Sequence, residues 1–279
     1  MAKHGARVVV CDIGASLSGA GNDTGPAQET VAAIKQAGGE ALASTLSITE
    51  PKNAEAIVKQ AIETFGRVDI LVNNAGILRD GMFHKMAIED WKAVIDVHLH
   101  GAFNVTRATV EHFREQQSGS YVLFTSTSGL IGNIGQANYA AAKLGVMGLS
   151  RIIAMEGAIK NVRSNIIAPF AWTRMIASIP VKDEAAAARV ERMRTGMRAD
   201  QVAQMAVALC ADGAKSTSGQ IFAVRGNEVF LFNQPRPIKA MARLEGWTPQ
   251  SLIDQALPAM AANYADPGAS ASVFPYDPV

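Results

Sequence analysis

The sequence predicts an α/β protein built on a doubly wound parallel sheet. Short runs rich in apolar and β-branched residues alternate with longer segments of helical periodicity, which is the order of βαβ units. Aromatic residues make up only 6% of the 279 residues while Gly and Ala are abundant, a composition typical of helices packed closely on such a sheet. The predicted strands cover residues 6–12, 41–45, 68–72, 120–125, 162–167 and 220–224.

Helices are predicted between these strands, because several of the intervening segments open on Asp, Thr or Pro and close on Gly. No repeat or low-complexity linker interrupts residues 1–235, so we interpret them as one domain. Residues 236–279 are expected to form a helix near 249–261 and a tail containing three prolines. Residues 175–196 suit either a mobile substrate lid or a solvated surface helix. The remaining predicted helices cover residues 25–37, 51–65, 87–116, 136–160 and 198–210.

The first residues resemble the end of a helix. Lys3 and His4 are cationic, Gly5 provides a cap, and an apolar strand follows at once. In a doubly wound sheet the first strand is central and the second lies beside it. A chain that opens on the second strand lacks the middle of its sheet. We therefore expect the first strand and most of the first helix, roughly 30 residues of a βαβ unit, to be missing from this sequence.

Charge and cysteine content exclude several classes of protein. The 26 Lys and Arg residues nearly balance the 25 Asp and Glu residues, giving a formal charge of +1, so no nucleic-acid partner is expected. Cys11 and Cys210 are too few for a disulfide framework and are expected to be free thiols. Since neither a signal peptide nor a membrane-spanning stretch is recognisable, we expect a cytoplasmic protein with no membrane partner.

Two motifs follow predicted strands. Tyr139 and Lys143 stand four residues apart on an apolar helix, which places an ammonium one turn from a phenol. Most such pairs are ordinary surface neighbours, but here Ser126 follows a strand and a loop with three glycines leads to the helix. Ligands of open α/β sheets bind at this carboxyl edge. The second motif, residues 69–76, is either an ordinary turn rich in Asx residues or a site at which Gly76 lets a cofactor approach the backbone.

Together these residues resemble the short-chain dehydrogenase/reductase family, whose fold is Rossmann-like. The resemblance covers about residues 1–230 and includes Ser126 thirteen residues before Tyr139. It also rests on the motif Asn73-Asn74-Ala75-Gly76 and on residues 165–175. Membership of this family implies hydride transfer between a nicotinamide and a secondary alcohol or ketone.

The resemblance also implies the catalytic roles. Tyr139 would be the general acid or base, Lys143 would hold the nicotinamide ribose, and Ser126 would bond the substrate oxygen. For useful phenolate at neutral pH, the tyrosine pKa near 10 would have to fall by about 2 to 3. Lys143 and the cationic oxidised nicotinamide are expected to supply that fall. Where the family usually has an Asn, this chain has His98, which is either a packed helix histidine or part of a proton relay.

The expected cofactor is NAD. Asp12 ends the first predicted strand, where a carboxylate accepts both adenosine ribose hydroxyls and repels the 2′-phosphate of NADP. The alternative is that Asp12 caps a helix. The resemblance adds Asn73, Ala75 and Gly76 near the adenosine ribose, and Thr173 at the nicotinamide carboxamide. No metal site is expected, because the other histidines form no ligand cluster.

Substrate and assembly are inferred from three segments. Residues 74–80 and 135–139 look most like the (3R)-hydroxyacyl-CoA dehydrogenase domains of peroxisomal multifunctional enzyme type 2 and their bacterial relatives. This likeness implies a 3-hydroxyacyl thioester or a similarly bulky substrate such as a steroid. Residues 139–159 are apolar nearly all round, so we expect them to be partly buried between subunits of a homodimer or homotetramer, unless the helix is wholly internal.

The chain departs from the family pattern at the phosphate-binding turn. The glycine-rich turn that offers backbone N–H groups to a pyrophosphate is absent, and Gly14, Gly19 and Gly21 follow the wrong strand to replace it. At Leu46 an adenine-binding Asp is lost, which costs at most about tenfold in affinity. Besides the dehydrogenase, two alternatives are therefore left open. One is a truncated, noncatalytic oligomer subunit that does not bind dinucleotide, and the other is an unstable fragment with exposed strand edges.

Overall fold

The structure is a computed structural model that describes residues 1–16, 18–21, 23–173, 183–265 and 267–279. The strands are β1 Val8–Cys11, β2 Ala41–Ser44, β3 Ile70–Asn73, β4 Gly119–Phe124, β5 Val162–Phe170, β6 Ile221–Arg225 and β7 Glu228–Phe232. The α-helices are α1 Gly25–Gln36, α2 Pro51–Phe65, α3 Ile88–Ile95, α4 Gly101–Glu115, α5 Thr127–Leu130, α6 Ala137–Gly157, α7 Glu184–Gly196, α8 Ala199–Cys210, α9 Pro249–Ser251, α10 Leu257–Ala261 and α11 Ser270–Val273.

The larger sheet confirms the doubly wound α/β fold. β3, β4, β5 and β6 run parallel in that order, with Val122 of β4 opposite Asn165 of β5. Side chains of α8 pack on one face of these strands and form a core with Val122 and Ile167. Side chains of α4 and α6 pack on the other face around Tyr121. Because helices cover both faces, β4 is buried along its whole length.

β1 and β2 form a second, two-stranded parallel sheet. Within the described ranges β1 and β3 each pair with a single strand, and their side chains are only partly buried. Helix α2 packs against both β1 and α4, and Arg7 lies 5.4 Å from the ring centroid of Phe65 at the end of α2. The six predicted strands are thus found, but in two sheets. The missing central strand itself stays a prediction.

Strand β7 was not among the predicted strands. It pairs antiparallel with β6, so that Val224 lies opposite Val229 and the two strands form a hairpin. Val229 and Leu231 are exposed while the residues between and beside them are partly buried. β7 therefore forms the edge of the larger sheet.

The C-terminal tail packs over the carboxyl ends of β5 and β6. Phe274 lies edge-on to Phe170 and to Phe230, with ring centroids 5.0 and 5.1 Å away. Arg225 is only 3% exposed, donates to the carbonyl of Tyr276 and lies 4.5 Å from the centroid of its ring. The tail therefore covers part of the edge at which ligands bind in sheets of this kind. None of the helices in the described ranges has the length and apolarity needed to cross a membrane.

Candidate active site

The end of β4 and helix α6 bring together Ser126, Tyr139 and Lys143. Ser126 caps the N-terminus of α5, and its Oγ accepts from the Ser128 backbone N–H at 3.1 Å. Thr125 Oγ1 donates to the Lys143 carbonyl at 2.7 Å, while Lys143 Nζ donates to the Phe124 carbonyl at 2.8 Å. These two bonds fix α6 against the strand end. They place the Tyr139 hydroxyl within hydrogen-bonding reach of Ser126.

The ionisation of this cluster is governed mainly by burial. Burial raises the pKa of Tyr139 to about 12, with a hydrogen bond from Ser126 acting to lower it and the charge of Asp80 acting to raise it. Burial also lowers the pKa of Lys143 to about 7. Lys143 Nζ lies 5.6 Å from the centroid of the tyrosine ring and bonds a backbone carbonyl instead. The expected fall of the phenol pKa is therefore not produced by the residues of this chain alone.

His98 lies directly beside Tyr139. It sits in a π-helical segment, Asp96–His100, between α3 and α4, and its ring meets the tyrosine ring edge-on at 5.0 Å. Nε2 lies 3.0 Å from the Ile77 nitrogen and 2.8 Å from the Ile77 carbonyl oxygen. Burial, with a smaller contribution from Lys143, lowers the pKa of His98 to about 3. The imidazole is thus neutral near pH 7, and its buried Nδ1 has no hydrogen-bond partner among the residues that the structure describes.

Gly76 makes room for this histidine. A Cβ atom at Gly76 would lie 2.3 Å from Cε1 of His98, closer than any real contact. The absence of a side chain at this position is therefore required by packing of the protein against itself, whether or not a cofactor also approaches. The sequence suggested only a cofactor as the reason for glycine at position 76, because the contact between residues 76 and 98 is not visible in a single sequence.

We expect Gly76→Ala to destabilise the fold by about 2 to 3 kcal/mol, the usual cost of overpacking a filled site. Urea denaturation measures this loss, and the double variant Gly76→Ala/His98→Ala should recover part of it. Gly213→Ala is the matched control, because no atom of the described residues lies within 4 Å of its Cβ position and its φ is not in the left-handed region. That control should change stability by less than about 1 kcal/mol. A Gly76→Ala variant as stable as the control would contradict the packing argument.

The residues predicted to hold the cofactor lie at or just past the carboxyl ends of strands. Asp12, after β1, is exposed, and its Oδ1 accepts from the Gly14 N–H at 2.7 Å. Asn73 ends β3, and within the described part of the chain its buried Nδ2 has no hydrogen-bond partner. Ala75 and Thr173 are both exposed. The segment after Thr173, residues 174–182, lies outside the described residues, as does that part of the predicted lid, while α7 forms a mostly exposed helix.

These groups fit the sugar portions of a nicotinamide dinucleotide. A lysine ammonium has three N–H donors, and Lys143 uses one of them for Phe124. The orphaned amide of Asn73 is a further donor, and Asp12 keeps acceptor capacity on its carboxylate. The loop after β1 is folded against the protein: a Cβ at Gly14 would overlap the Asp23 carbonyl oxygen, and Arg79 Nε donates to the Ser18 carbonyl at 2.8 Å.

Sequence reasoning missed several polar residues around Ser126 and Tyr139. Asn138 is fully buried, and its amide donates to the carbonyls of Arg79 and Asp90, at 2.9 and 3.3 Å. It thereby fixes the start of α6 next to Tyr139. The polar composition of the loop before α6 was the available signal. Three further polar side chains connect to Ser126 through hydrogen bonds, namely Ser128, Asn133 and Gln136.

The part of the chain that the structure describes contains no group of three His, Cys, Asp or Glu side chains that could hold a metal. The polar groups around Tyr139 are hydroxyls, amides, one amine, the imidazole of His98 and the more distant carboxylate of Asp80, and the hydroxyls and the amine suit hydrogen bonding to a substrate or a sugar.

The fold and the site together define a class. A doubly wound sheet with Ser126, Tyr139 and a buried Lys143 at its carboxyl edge is the arrangement of a dinucleotide-dependent oxidoreductase. The chain belongs to the short-chain dehydrogenase family, whose model matches residues 1–182. Enzymes of this family generally use NAD or NADP.

Individual relatives agree with this assignment. The chain is 42% identical over 247 residues to a short-chain type dehydrogenase/reductase of Mycobacterium tuberculosis, covering 87% of this chain and 85% of that protein. It is 37% identical over 255 residues to peroxisomal multifunctional enzyme type 2 of Mus musculus, covering 91% of this chain but 33% of that protein. A crystal structure of a short chain dehydrogenase from Mycobacterium avium superimposes with a TM-score of 0.82 at 33% identity, over 96% of this chain and 90% of that one.

Proposed function

We propose that this oxidoreductase interconverts a 3-hydroxyacyl thioester and its 3-oxo form, or a similarly bulky alcohol and ketone such as a steroid, with NAD as cofactor. The observation that carries the proposal is the grouping of Ser126, Tyr139 and the buried Lys143 at the carboxyl end of β4, where Ser126 acts to lower the pKa of Tyr139 and Lys143 Nζ lies 5.6 Å from the tyrosine ring centroid. The match with multifunctional enzyme type 2 supports the substrate class.

Tyr139, Ser126 and Lys143 have different roles in the proposed reaction. Tyr139 Oη gives its proton to the ketone oxygen in reduction and takes the alcohol proton in oxidation. Ser126 Oγ bonds the same substrate oxygen and holds it beside the phenol. Lys143 Nζ, anchored on the Phe124 carbonyl, directs its remaining N–H groups to ribose hydroxyls. The nicotinamide, when bound, supplies or accepts the hydride.

His98 has a positioning role in this proposal. As a neutral ring edge-on to Tyr139, it limits the orientations of the phenol. Its Nδ1, which bonds none of the described residues, is a polar atom to which a water could bond. Such a water would continue a proton path away from the phenol.

Asp12 carries the preference for NAD. We expect Asp12→Ala to lower the ratio of kcat/KM with NAD to that with NADP by about tenfold to a hundredfold, because a charge-assisted bond to the ribose and the repulsion of a 2′-phosphate are both lost. Steady-state kinetics with each cofactor measure the ratio. Asp69→Ala is the matched control, since Asp69 is an exposed carboxylate just before β3, paired with Arg67. An unchanged ratio in Asp12→Ala would reject this role.

The experiment that tests the proposal is fluorescence titration with NADH, combined with thermal melts with and without NAD and an assay with a 3-hydroxyacyl-CoA. Saturable binding, a raised melting temperature and turnover are expected.

A second candidate, a noncatalytic oligomer subunit, is favoured by the separate two-stranded sheet, in which β1 pairs only with β2 within the described residues. Cooperative melting with neither binding nor turnover would establish that candidate instead, and aggregation would indicate an unstable fragment.

We also propose a homodimer or homotetramer. Leu144, Ile152, Met155 and Ile159 recur along one face of α6 and its 3-10 extension, and the last two are 67% and 79% exposed. An apolar stripe of this kind suits a self-complementary contact between two copies. Sedimentation analysis should give a dimer or larger, and Met155→Glu should shift the association equilibrium toward monomer.

The unpaired Cys11 and Cys210 are consistent with a proposed cytoplasmic location.

A further inference from the structure

Residues 268–279 form a strap across the carboxyl edge of the larger sheet. At one end, Ser270 donates to the Gly132 carbonyl twice, from its backbone N–H at 2.9 Å and from its Oγ at 3.2 Å. Ser270 is buried, and Gly132 lies in the loop between Ser126 and Tyr139. The strap is therefore attached directly to the loop that joins two residues of the candidate active site.

Arg225 holds the middle of the strap. It is buried, it donates to the Tyr276 carbonyl, and its guanidinium lies 4.5 Å from the ring centroid of Tyr276 and 5.8 Å from that of Phe274. The Phe274 ring also meets Phe170 and Phe230 edge-on. A cation that contacts aromatic rings away from water is held firmly. Since residues 170 and 225 end β5 and β6, the strap is fixed over the ends of these two strands.

The far end of the strap is attached to helix α7. Asp277 pairs with Arg192 of that helix at 3.0 Å. A Cβ atom at Gly226 would lie 2.6 Å from the Val279 carbonyl oxygen and 3.1 Å from the Gly196 carbonyl oxygen. The strap, the end of α7 and the turn between β6 and β7 therefore meet without room for a side chain.

The order of the strands separates the strap from most of the predicted cofactor site. β4, which leads to Ser126, has β3 on one side and β5 on the other. The residues predicted to hold the cofactor follow β1 and β3, with the exception of Thr173 after β5. The strap covers the ends of β5 and β6. It therefore lies on the side of Ser126 that a bound dinucleotide leaves for the substrate.

The composition of the strap indicates which part of a substrate it can contact. Of its twelve residues one, Asp277, is charged, and that carboxylate pairs with Arg192. The strap thus has no Lys or Arg to bind the phosphates of a CoA group. Val273 of the strap and Ile134 of the attached loop are instead 51% and 84% exposed. An acyl chain or a steroid skeleton suits apolar side chains of this kind.

We propose that the strap determines specificity for the apolar part of the substrate, with Arg225, Phe274 and Tyr276 as the positioning residues that hold it in place. Attached to the loop before α6 and to α7, it forms one wall of the substrate entrance. When the strap is released, a long apolar group loses this wall, whereas Tyr139 and the cofactor keep their places. The substrate part of this inference rests on the proposed function, but the attachment of the strap does not.

Phe274→Ala/Tyr276→Ala releases the strap and leaves the core of the sheet unchanged. Phe274 is only partly buried and Tyr276 is exposed, so the fold should be kept. Phe274→Leu/Tyr276→Phe is the conservative counterpart, because it keeps the apolar bulk and a ring next to Arg225. Tyr264→Ala is the matched control, since Tyr264 is an exposed tyrosine outside the strap that donates to the Leu257 carbonyl.

The first measurement is steady-state oxidation of a long-chain and a short-chain 3-hydroxyacyl-CoA. In Phe274→Ala/Tyr276→Ala we expect KM for the long-chain substrate to rise by about tenfold, because its apolar chain loses a wall. KM for the short-chain substrate, kcat and the Kd of NADH should each stay within about twofold of the wild type. The milder variant Tyr276→Ala should raise KM for the long-chain substrate by about threefold.

The conservative double variant and Tyr264→Ala should both behave as the wild type does. Three results would each overturn the proposal: an unchanged KM for the long-chain substrate, an equal rise in KM for both substrates, or an equal loss of NADH affinity. An equal rise would mean that the strap does not contact the acyl chain. An equal loss of NADH affinity would mean that the strap supports the whole site.

The second measurement needs no turnover. The Ser270 N–H donates to Gly132, and the Asn227 N–H donates to the Val279 carbonyl at 2.7 Å, so both amides are protected from exchange only while the strap is in place. Hydrogen exchange followed by NMR should be at least about tenfold faster at these two amides in Phe274→Ala/Tyr276→Ala, and unchanged in Tyr264→Ala. Full protection in the double variant would reject the positioning roles.

Binding of a fluorescent long-chain fatty acid separates this inference from the proposed function. If the wild type oxidises neither substrate but binds the probe, and the double variant binds it about tenfold more weakly, the proposed function fails and the role of the strap stands. If the wild type turns over and the double variant keeps the same chain-length preference, the proposed function stands and the role of the strap is rejected. Neither turnover nor probe binding in the wild type would reject both.

Discussion

Replacing Tyr139 by phenylalanine is expected to lower kcat/KM for the alcohol by about a thousandfold or more, while leaving the fold intact. Tyr139 is the only group in the proposed scheme that passes a proton to or from the substrate oxygen, and positioned proton transfer contributes about 10² to 10⁴ in rate. The ring that remains keeps its edge-on contact with His98 at 5.0 Å. Loss of one hydroxyl bond should change the free energy of unfolding by about 1 kcal/mol. Steady-state kinetics and urea denaturation measure the two effects.

Tyr121→Phe is the matched control for this experiment. Tyr121 is fully buried, and its hydroxyl lies 3.0 Å from Thr109 Oγ1, in the core between β4 and α4. Its loss should lower stability by about 1 kcal/mol and leave kcat/KM unchanged. If both variants lose activity equally, or if Tyr139→Phe keeps more than about a tenth of it, Tyr139 is not the proton carrier.

The fold was predictable to the extent that local sequence determines it. β-branched runs located the six strands of the parallel units, and helix α2 has the predicted bounds, with Pro51 at its start and Gly66 after its end. β7 was missed although Gly226 and Asn227 between two apolar runs are a hairpin signal. Residues 229–232 are four consecutive apolar residues, so β7 could have been predicted from the sequence. The separation of β1 and β2 into their own sheet depends on strand pairing, which local patterns do not encode.

That the candidate residues lie together was predictable, whereas their ionisation and packing were not. Spacing and resemblance identified Ser126, Tyr139 and Lys143, and the structure brings these three together. In the chain alone the pKa of Tyr139 is raised, because it depends on desolvation by segments distant in sequence. The fall expected with oxidised nicotinamide bound stays a prediction. The π-helical segment that directs His98 toward Gly76 likewise has no reliable signature in a single sequence.

Lys143 shows that the site is maintained at a cost in stability. Lys143 is 5% exposed, and the one hydrogen bond that its amine makes to the described residues goes to a neutral carbonyl, not to a carboxylate. A buried amine without a negative partner is held only because the surrounding structure fixes it. Such an arrangement is typical of functional sites, at which proteins tolerate groups that destabilise the fold.

Lys143→Met is therefore expected to abolish function and to increase stability. Methionine is similar in length but has no N–H donors for the ribose hydroxyls, so kcat/KM should fall by about a hundredfold or more and NADH binding should weaken. At pH 6.5 the free energy of unfolding should rise by about 2 to 3 kcal/mol. That gain is smaller than the pKa change alone implies, because the Phe124 carbonyl loses its bond. Lys59→Met, at an exposed lysine paired with Glu63, is the control and should change neither property.

The pH dependence of this gain tests its cause. The folded-state pKa of Lys143 is about 7 against an ordinary value of 10.5, so between these pH values the unfolded chain binds more protons than the folded one. Wild-type stability gains from this group as the pH rises from 7 toward 10, and the group's penalty is fully present below pH 7. Because methionine does not titrate, the stability of the Lys143→Met variant lacks this dependence on pH. The difference between the two proteins in urea denaturation should therefore be largest at pH 6.5 and smaller at pH 9.5. A difference that does not change with pH would mean that the fold does not hold the amine neutral.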